Sequence, residues 1–142
     1  MIRTFMHAKI HRCTCTRADL DYMGSVSIDS EIMNAVGILP HEKVLLVNMR
    51  DGARLETYAI EAPAGSKTIG MNGGCAHLIR KGDICLIIAF TDLSEGESMK
   101  SRVAIMGPGN EIEALMEEDV VFPASQNGEV SKETGVSKAA RN

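Results

Sequence analysis

The sequence predicts a mainly β domain, and three observations carry that expectation. Short apolar runs separated by turn residues dominate, one segment alone has convincing helical spacing, and an Asp-Gly pair divides two strand-like runs. Residues Ile2 to Arg17 read as extended, and Ser25-Val26-Ser27-Ile28 forms a short second run after an Asp/Tyr/Gly interruption. A helix follows: Asp29 or Ser30 caps it, Ile32, Met33 and Val36 form its apolar face, and Gly37 suits the left-handed position past its end. Pro40 blocks its continuation. Val44 to Val47 and Leu55 to Ile60 then flank Asp51-Gly52, a pair expected to supply the positive φ angles of a tight hairpin. Asn72 to His77 reads as a short helical turn closed by Arg80-Lys81-Gly82. Ile84 to Phe90 is a continuous apolar run suited to a strand buried on both faces, and Arg102 to Met106 offers another strand.

With 142 residues, the chain is long enough for one domain with a real core, here placed at residues 1–123. Residues 124–142 are Ser, Gly, Lys, Glu, Asn and Ala with two isolated valines, so a disordered tail is expected there. The formal charge is -4 and the basic residues are scattered, which argues against nucleic acid as a partner. No apolar run reaches signal-peptide or membrane-spanning length, so a cytoplasmic protein is expected, with Cys13, Cys15, Cys75 and Cys85 as reduced thiols.

The sharpest chemical signal is Gly24-Ser25. As an isolated dipeptide it is simply a turn before a strand. A serine hydroxyl can also attack the carbonyl before it, and glycine leaves that carbonyl unhindered and tolerates a strained backbone. The surroundings favour the second reading. Lys9-Ile10-His11-Arg12, Thr14, Thr16, Ala18-Asp19-Leu20, Tyr22, Gly24-Ser25 and Ile28-Asp29 resemble the start of the pyruvoyl-dependent aspartate 1-decarboxylases. Gly37-Ile38-Leu39, Asn48, Gly52, Arg54, Thr57-Tyr58-Ala59-Ile60, Asn72-Gly73, Ala76-His77 and Gly82-Asp83-Ile84 continue the resemblance to roughly residue 120.

That resemblance implies a six-stranded double-psi β-barrel with short helices, assembled as a homotetramer with active sites between subunits. It also implies self-cleavage between Gly24 and Ser25 into chains 1–24 and 25–142, unaided or with a maturation factor. Ser25 then becomes a covalent pyruvoyl group, whose ketone condenses with the amine of L-aspartate. The product is β-alanine, which feeds pantothenate and coenzyme A synthesis. Thr57 is implied to stabilise the Gly24 oxyanion during cleavage and to line the substrate site. Arg54 would hold the carboxylate that aspartate keeps, Lys9 would add positive charge, and Tyr58 would return a proton to the decarboxylated carbon. Tyr22, Asn72, Gly73, Gly74, Cys75 and Ala76 would line the substrate site. Gly74 and Cys75 depart from the alanines the family favours, so extra loop freedom and a thiol near the substrate are expected.

The same residues admit two other classes of function. His11, Cys13 and Cys15 would alternate on one face of a regular strand, and Cys75 and His77 could complete a metal site. Their spacing is not that of a structural zinc site, so no metal is expected. A non-catalytic β-barrel adaptor would leave Arg54, Thr57 and Tyr58 as surface coincidences.

Overall fold

The β-rich pattern folds into nine strands and two short helices in a computed structural model whose described residues are 1–125. The strands are β1 (Ile2–Thr14), β2 (Arg17–Asp19), β3 (Ser25–Asp29), β4 (Lys43–Asn48), β5 (Arg54–Ala62), β6 (Ile69–Asn72), β7 (Ile84–Ser94), β8 (Ser98–Met106) and β9 (Ile112–Val121). Helix α1 (Ser30–Val36) and α2 (Cys75–Leu78) lie between them. The strands form one ladder in the order β2-β6-β3-β5-β4-β7-β1-β8-β9. This is mainly β, as expected, but the ladder has nine strands rather than six and is open at β2 and β9. Most of the expected tail lies outside the described residues.

Two strands escaped the sequence reading for opposite reasons. All four residues of β6 are buried, but Gly70 and Asn72 within it weaken any strand signal. β9 is exposed at nearly every position, so alternation of apolar and polar residues never marks it. β7 runs to Ser94 and alternates buried with part-exposed residues, so only one of its faces is covered. The core comprises residues such as Ile10, Val26, Ile28, Leu46, Ile69, Met71 and Ile87, closed over by Ile32, Met33 and Val36 of α1. Each such side chain contributes roughly 1.5–3 kcal/mol relative to exposure.

α1 begins and ends as expected. Gly37 (φ 87°) donates its N–H to Met33 O at 2.8 Å. At the other end Asp29 is fully buried and accepts backbone N–H bonds from Glu31 (2.8 Å), Gly65 (3.0 Å) and Lys67 (2.8 Å). Burial alone would raise its carboxyl pKa, but the three donors together hold it below the usual value. Asp29→Ala strands those donors and is expected to lower folding stability by roughly 2–5 kcal/mol, read as a fall in denaturation midpoint. The depressed pKa means that Asp29's contribution is present above the ordinary carboxylate range. It is lost as pH falls through the lowered value.

Two local expectations are corrected. Only Gly52 (φ 76°) of the Asp51-Gly52 pair has positive φ, and the hairpin is a five-residue loop, 49–53, between β4 and β5. Asn48 and Asp51 side chains bond the loop's own N–H groups at Arg50 and Ala53, which stabilises the wider turn. In β1, Arg12 lies at φ 66° in a bulge between His11 and Cys13. The extra residue flips the alternation, so Cys13 enters the core while His11 stays on the outer face. The face on which His11, Cys13 and Cys15 would have aligned does not exist.

Candidate active site

Ser25 opens β3 opposite Asn72 of β6, and both are buried, with Ser25 only 1 % exposed. Asn72 Nδ2 donates to Ser25 Oγ and to Ser27 Oγ, each at 2.9 Å. The alternation of β3 explains the arrangement: Val26 and Ile28 enter the core, leaving Ser25 and Ser27 together on the other face. Gly24 itself is not in the left-handed region, and a Cβ there would meet only Asn72 O at 3.9 Å. The expected strain therefore sits elsewhere. Gly73 (φ 63°) presses on the 22–24 segment so closely that a Cβ would fall 2.9 Å from both Gly24 Cα and Tyr22 O. Glycine at 73 is a requirement of that approach.

β5 lies on the other side of β3, running parallel, with Val26 beside Ala59. Thr57 and Tyr58 immediately precede that pair. Thr57 shares the inward face with Leu55 and Ala59, while Tyr58 and Arg54 share the outward one. Tyr58 is half-buried and its ring stacks on His41, with centroids 5.9 Å apart and 17° between planes. Among the described residues, neither the Tyr58 hydroxyl nor the Thr57 hydroxyl has a hydrogen-bond partner within the chain. Arg54 is exposed and likewise has no carboxylate partner there. Lys9 is not brought to this group. The register aligns Lys9, Ile88, Leu45 and Glu56 across β1, β7, β4 and β5, so Lys9 is three strand spacings from β5, roughly 14 Å along the ladder.

The 73–78 loop is anchored beyond α2. Asn48 Nδ2 donates to Leu78 O and Asp83 Oδ2, both at 2.9 Å, and Arg50 bonds the same carboxylate. The Arg50 guanidinium, then the Arg80 N–H, hold Asp83 at a pKa of about 2. α2 is one turn only: Ile79 is already extended, a separate turn is closed by Asp83 N donating to Arg80 O at 3.0 Å, and Gly82 within it donates to Cys15 O at 2.8 Å. A Cβ at Gly74 would meet nothing within 4 Å, so this glycine answers no steric demand. Cys75 is 3 % exposed and belongs to the hydrophobic core, as does Ala76. The Cys75 thiol packs inward as a small apolar group, and it is no more buried than Ser25 itself.

The remaining thiols are also buried. Cys13 Sγ and Cys85 Sγ are 3.6 Å apart, and the hydrogen bond to Cys85 together with burial pushes the Cys13 thiol well above its usual pKa. Burial pushes Cys15 up to about 11. Such thiols are protonated at neutral pH and poor nucleophiles. Among the described residues, no three His, Cys, Asp or Glu side chains are grouped to hold a metal ion.

A buried serine held by an asparagine, after a glycine that a positive-φ glycine closely approaches, coincides with a match over residues 1–113 to the family model described as aspartate decarboxylase. The chain belongs to the aspartate decarboxylase family. An aspartate 1-decarboxylase of Phenylobacterium zucineum is 49 % identical over 114 residues, covering 79 % of this chain and 97 % of that one. Those of Caulobacter vibrioides and Bacillus subtilis are each 45 % identical, over 112 and 118 residues, covering 78 % and 82 % of this chain and 95 % and 93 % of theirs. The family match ends at residue 113, within β9. Sequence reasoning missed Arg17, Ser27 and Gly70, which share the outer face with Ser25 and Asn72. The available signal was a glycine inside a strand, which marks close approach of another group.

Proposed function

We propose that this chain decarboxylates L-aspartate to β-alanine and carbon dioxide, using a pyruvoyl group made from its own Ser25. Ser25 carries the reading: a buried hydroxyl adjoining Gly24, held at 2.9 Å by Asn72 in a chain of the aspartate decarboxylase family. Attack of Ser25 Oγ on the Gly24 carbonyl carbon breaks the peptide C–N bond and leaves an ester, the proton passing to the Ser25 nitrogen. Loss of the Ser25 Cα proton and of the Gly24 carboxylate gives dehydroalanine. Tautomerisation to the imine and addition of water then release ammonia and leave the pyruvoyl group. Once formed, that group supplies a ketone able to draw electrons from the bond to the departing carboxylate.

The chain's own residues do the rest. Thr57, on the inward face of β5 beside β3, stabilises negative charge on the Gly24 oxygen. Arg54, exposed and free of a carboxylate partner among the described residues, binds the carboxylate that aspartate keeps. Tyr58 protonates the decarboxylated carbon. Tyr22, Asn72, Gly73, Gly74, Cys75 and Ala76 border the substrate. Lys9 lies too far along the ladder to join Arg54 of the same chain, which supports sites between subunits of a homotetramer. Solvent-facing Leu20, Tyr22, Met23, Leu39 and Phe90 are apolar surface for such contacts.

On this reading the domain is residues 1–123, with the remainder a tail, and cleavage gives chains 1–24 and 25–142. A six-stranded double-psi barrel counts β1 with its continuation β2 as one strand and adds β3 to β7. Cys15, bonded to Asp83 O, and Thr16, bonded to Ile69 O, join the two regions of the ladder and support that count. β8 and β9 then stand outside the barrel. No helix among the described residues is long and apolar enough to cross a membrane, and the cytoplasm suits four free cysteines. β-Alanine would serve pantothenate and coenzyme A synthesis, and a maturation factor would act on the cleavage step.

The test is conversion of L-aspartate to β-alanine by the purified protein with no cofactor added, alongside two chains in a denaturing mass spectrum. Strict dependence on pyridoxal phosphate, or a single intact chain with full activity, refutes the reading. Arg54→Lys is expected to cleave normally but to need roughly tenfold more aspartate for half-maximal rate, since lysine keeps the charge and loses the two-pronged geometry. Unchanged substrate dependence would remove Arg54 from the site.

A further inference from the structure

We propose that Arg17 is a positioning residue for self-cleavage, fixing the Asn72 amide that holds the Ser25 nucleophile, and that Gly70 exists to let it do so. The inference rests on the self-processing role proposed for Ser25. Its starting point is register. β6 pairs with β2 in parallel and with β3 antiparallel, so Arg17, Gly70 and Ser27 form one row across three strands and Asp19, Asn72 and Ser25 the next. Residues in a row share a face, and at the centre of the first row stands a residue with no side chain. The Arg17 side chain crosses that gap. Its Nη1 donates to Asn72 Oδ1 at 3.0 Å and its Nη2 reaches Ser27 Oγ at 3.4 Å.

The consequence for Ser25 follows from donor and acceptor chemistry. An asparagine amide can present either its oxygen or its nitrogen to a neighbour, and two hydroxyls such as Ser25 and Ser27 accept either arrangement. Guanidinium has donors only. With Arg17 on one side, Asn72 must turn its oxygen to the arginine and its nitrogen to the serines, as the 2.9 Å contacts to both hydroxyls record. Ser25 Oγ is thereby held by a donor, which fixes its rotamer and keeps a lone pair free for the Gly24 carbonyl. Without Arg17 the amide is free to turn over. Its oxygen would then accept the Ser25 proton and hold the hydroxyl in a different orientation.

Gly70 gives the same idea an independent handle. A Cβ at position 70 would lie 2.9 Å from Arg17 Cζ and 3.2 Å from Arg17 Nε. Arg17 Cγ is also 3.2 Å away, and all three atoms belong to one flexible side chain rather than to backbone, so Gly70→Ala would displace the Arg17 side chain without disturbing the strands.

The experiment uses full-length precursor and follows the uncut fraction against time by intact mass under denaturing conditions. Variants are Arg17→Ala, Gly70→Ala and the double variant, and each is also made in a Ser25→Ala background, where melting temperatures are compared on uncut chains. Arg17→Ala is expected to slow cleavage by roughly 10- to 100-fold, the range for losing a hydrogen bond from a charged group, with the melting temperature little changed. Gly70→Ala is expected to slow it similarly, and the double variant no more than Arg17→Ala alone, because both changes act on one contact. Cleavage of Arg17→Ala within twofold of the unsubstituted chain overturns the inference. So does additive slowing in the double variant, or slowing matched by a large fall in melting temperature. An unsubstituted chain that never separates into two pieces overturns the self-processing reading and this inference with it.

Discussion

Ser25→Ala is expected to remain a single uncut chain with no measurable decarboxylation. Alanine has no oxygen to attack Gly24, so no ester forms, no elimination follows and no ketone is generated. The fold should tolerate the change. Asn72 Nδ2 loses one of two acceptors but keeps Ser27 Oγ at 2.9 Å, so the buried amide is not left without a partner. Val26 and Ile28, which attach β3 to the core, are untouched. The cost is at most about 1 kcal/mol, the net value of an ordinary hydrogen bond. Intact mass under denaturing conditions, a melting curve and an aspartate assay together decide the matter. A cleaved Ser25→Ala chain refutes the nucleophile assignment, and an unfolded one refutes the account of Asn72.

What was legible in the sequence depended on where each signal resides. α1 could be read to its capping residues because Asp29, Gly37 and the Ile32, Met33, Val36 spacing are local statements about one helix. The family resemblance around Gly24-Ser25 could be read because its residues are contiguous. The Arg12 bulge could not, since nothing in Arg12 itself announces a positive φ; the pairing of β1 with β7 produces it. β9 carries four acidic residues, Glu113, Glu117, Glu118 and Asp119, among apolar ones, and its strand character comes from its ladder with β8. The Arg17 row is the most instructive case. Gly70 is far in sequence from Arg17 and Ser27 and each is unremarkable alone, and only the register of β2, β6 and β3 places them side by side. Cys75 shows the same dependence on packing: its loop location says nothing of burial, and the single turn of α2 carries its side chain into the core.

Tyr58→Phe is expected to leave cleavage intact while reducing aspartate turnover by roughly 10² to 10⁴, the usual contribution of a positioned general acid. The two chemistries separate because neighbouring strand residues face opposite ways. Thr57, proposed to serve the Gly24 oxygen, is on the inward side of β5, whereas Tyr58 lies outward beside the Arg54 face. Phenylalanine keeps the ring and therefore the stack on His41 at 5.9 Å. It removes a hydroxyl that has no hydrogen-bond partner within the chain among the described residues, so folding stability should change by less than about 0.5 kcal/mol. The variant should accordingly yield two chains. The one beginning at residue 25 should be lighter by the mass of ammonia than a serine-ended chain, marking a pyruvoyl end. Substrate would still bind at Arg54 and lose carbon dioxide, but the carbon left behind would wait for a proton from water. That bottleneck predicts a fall in kcat with a smaller change in the aspartate concentration for half-maximal rate, the reverse of the Arg54→Lys pattern. Full activity in Tyr58→Phe refutes the proton-donor assignment, and failure to cleave would move Tyr58 into the processing machinery.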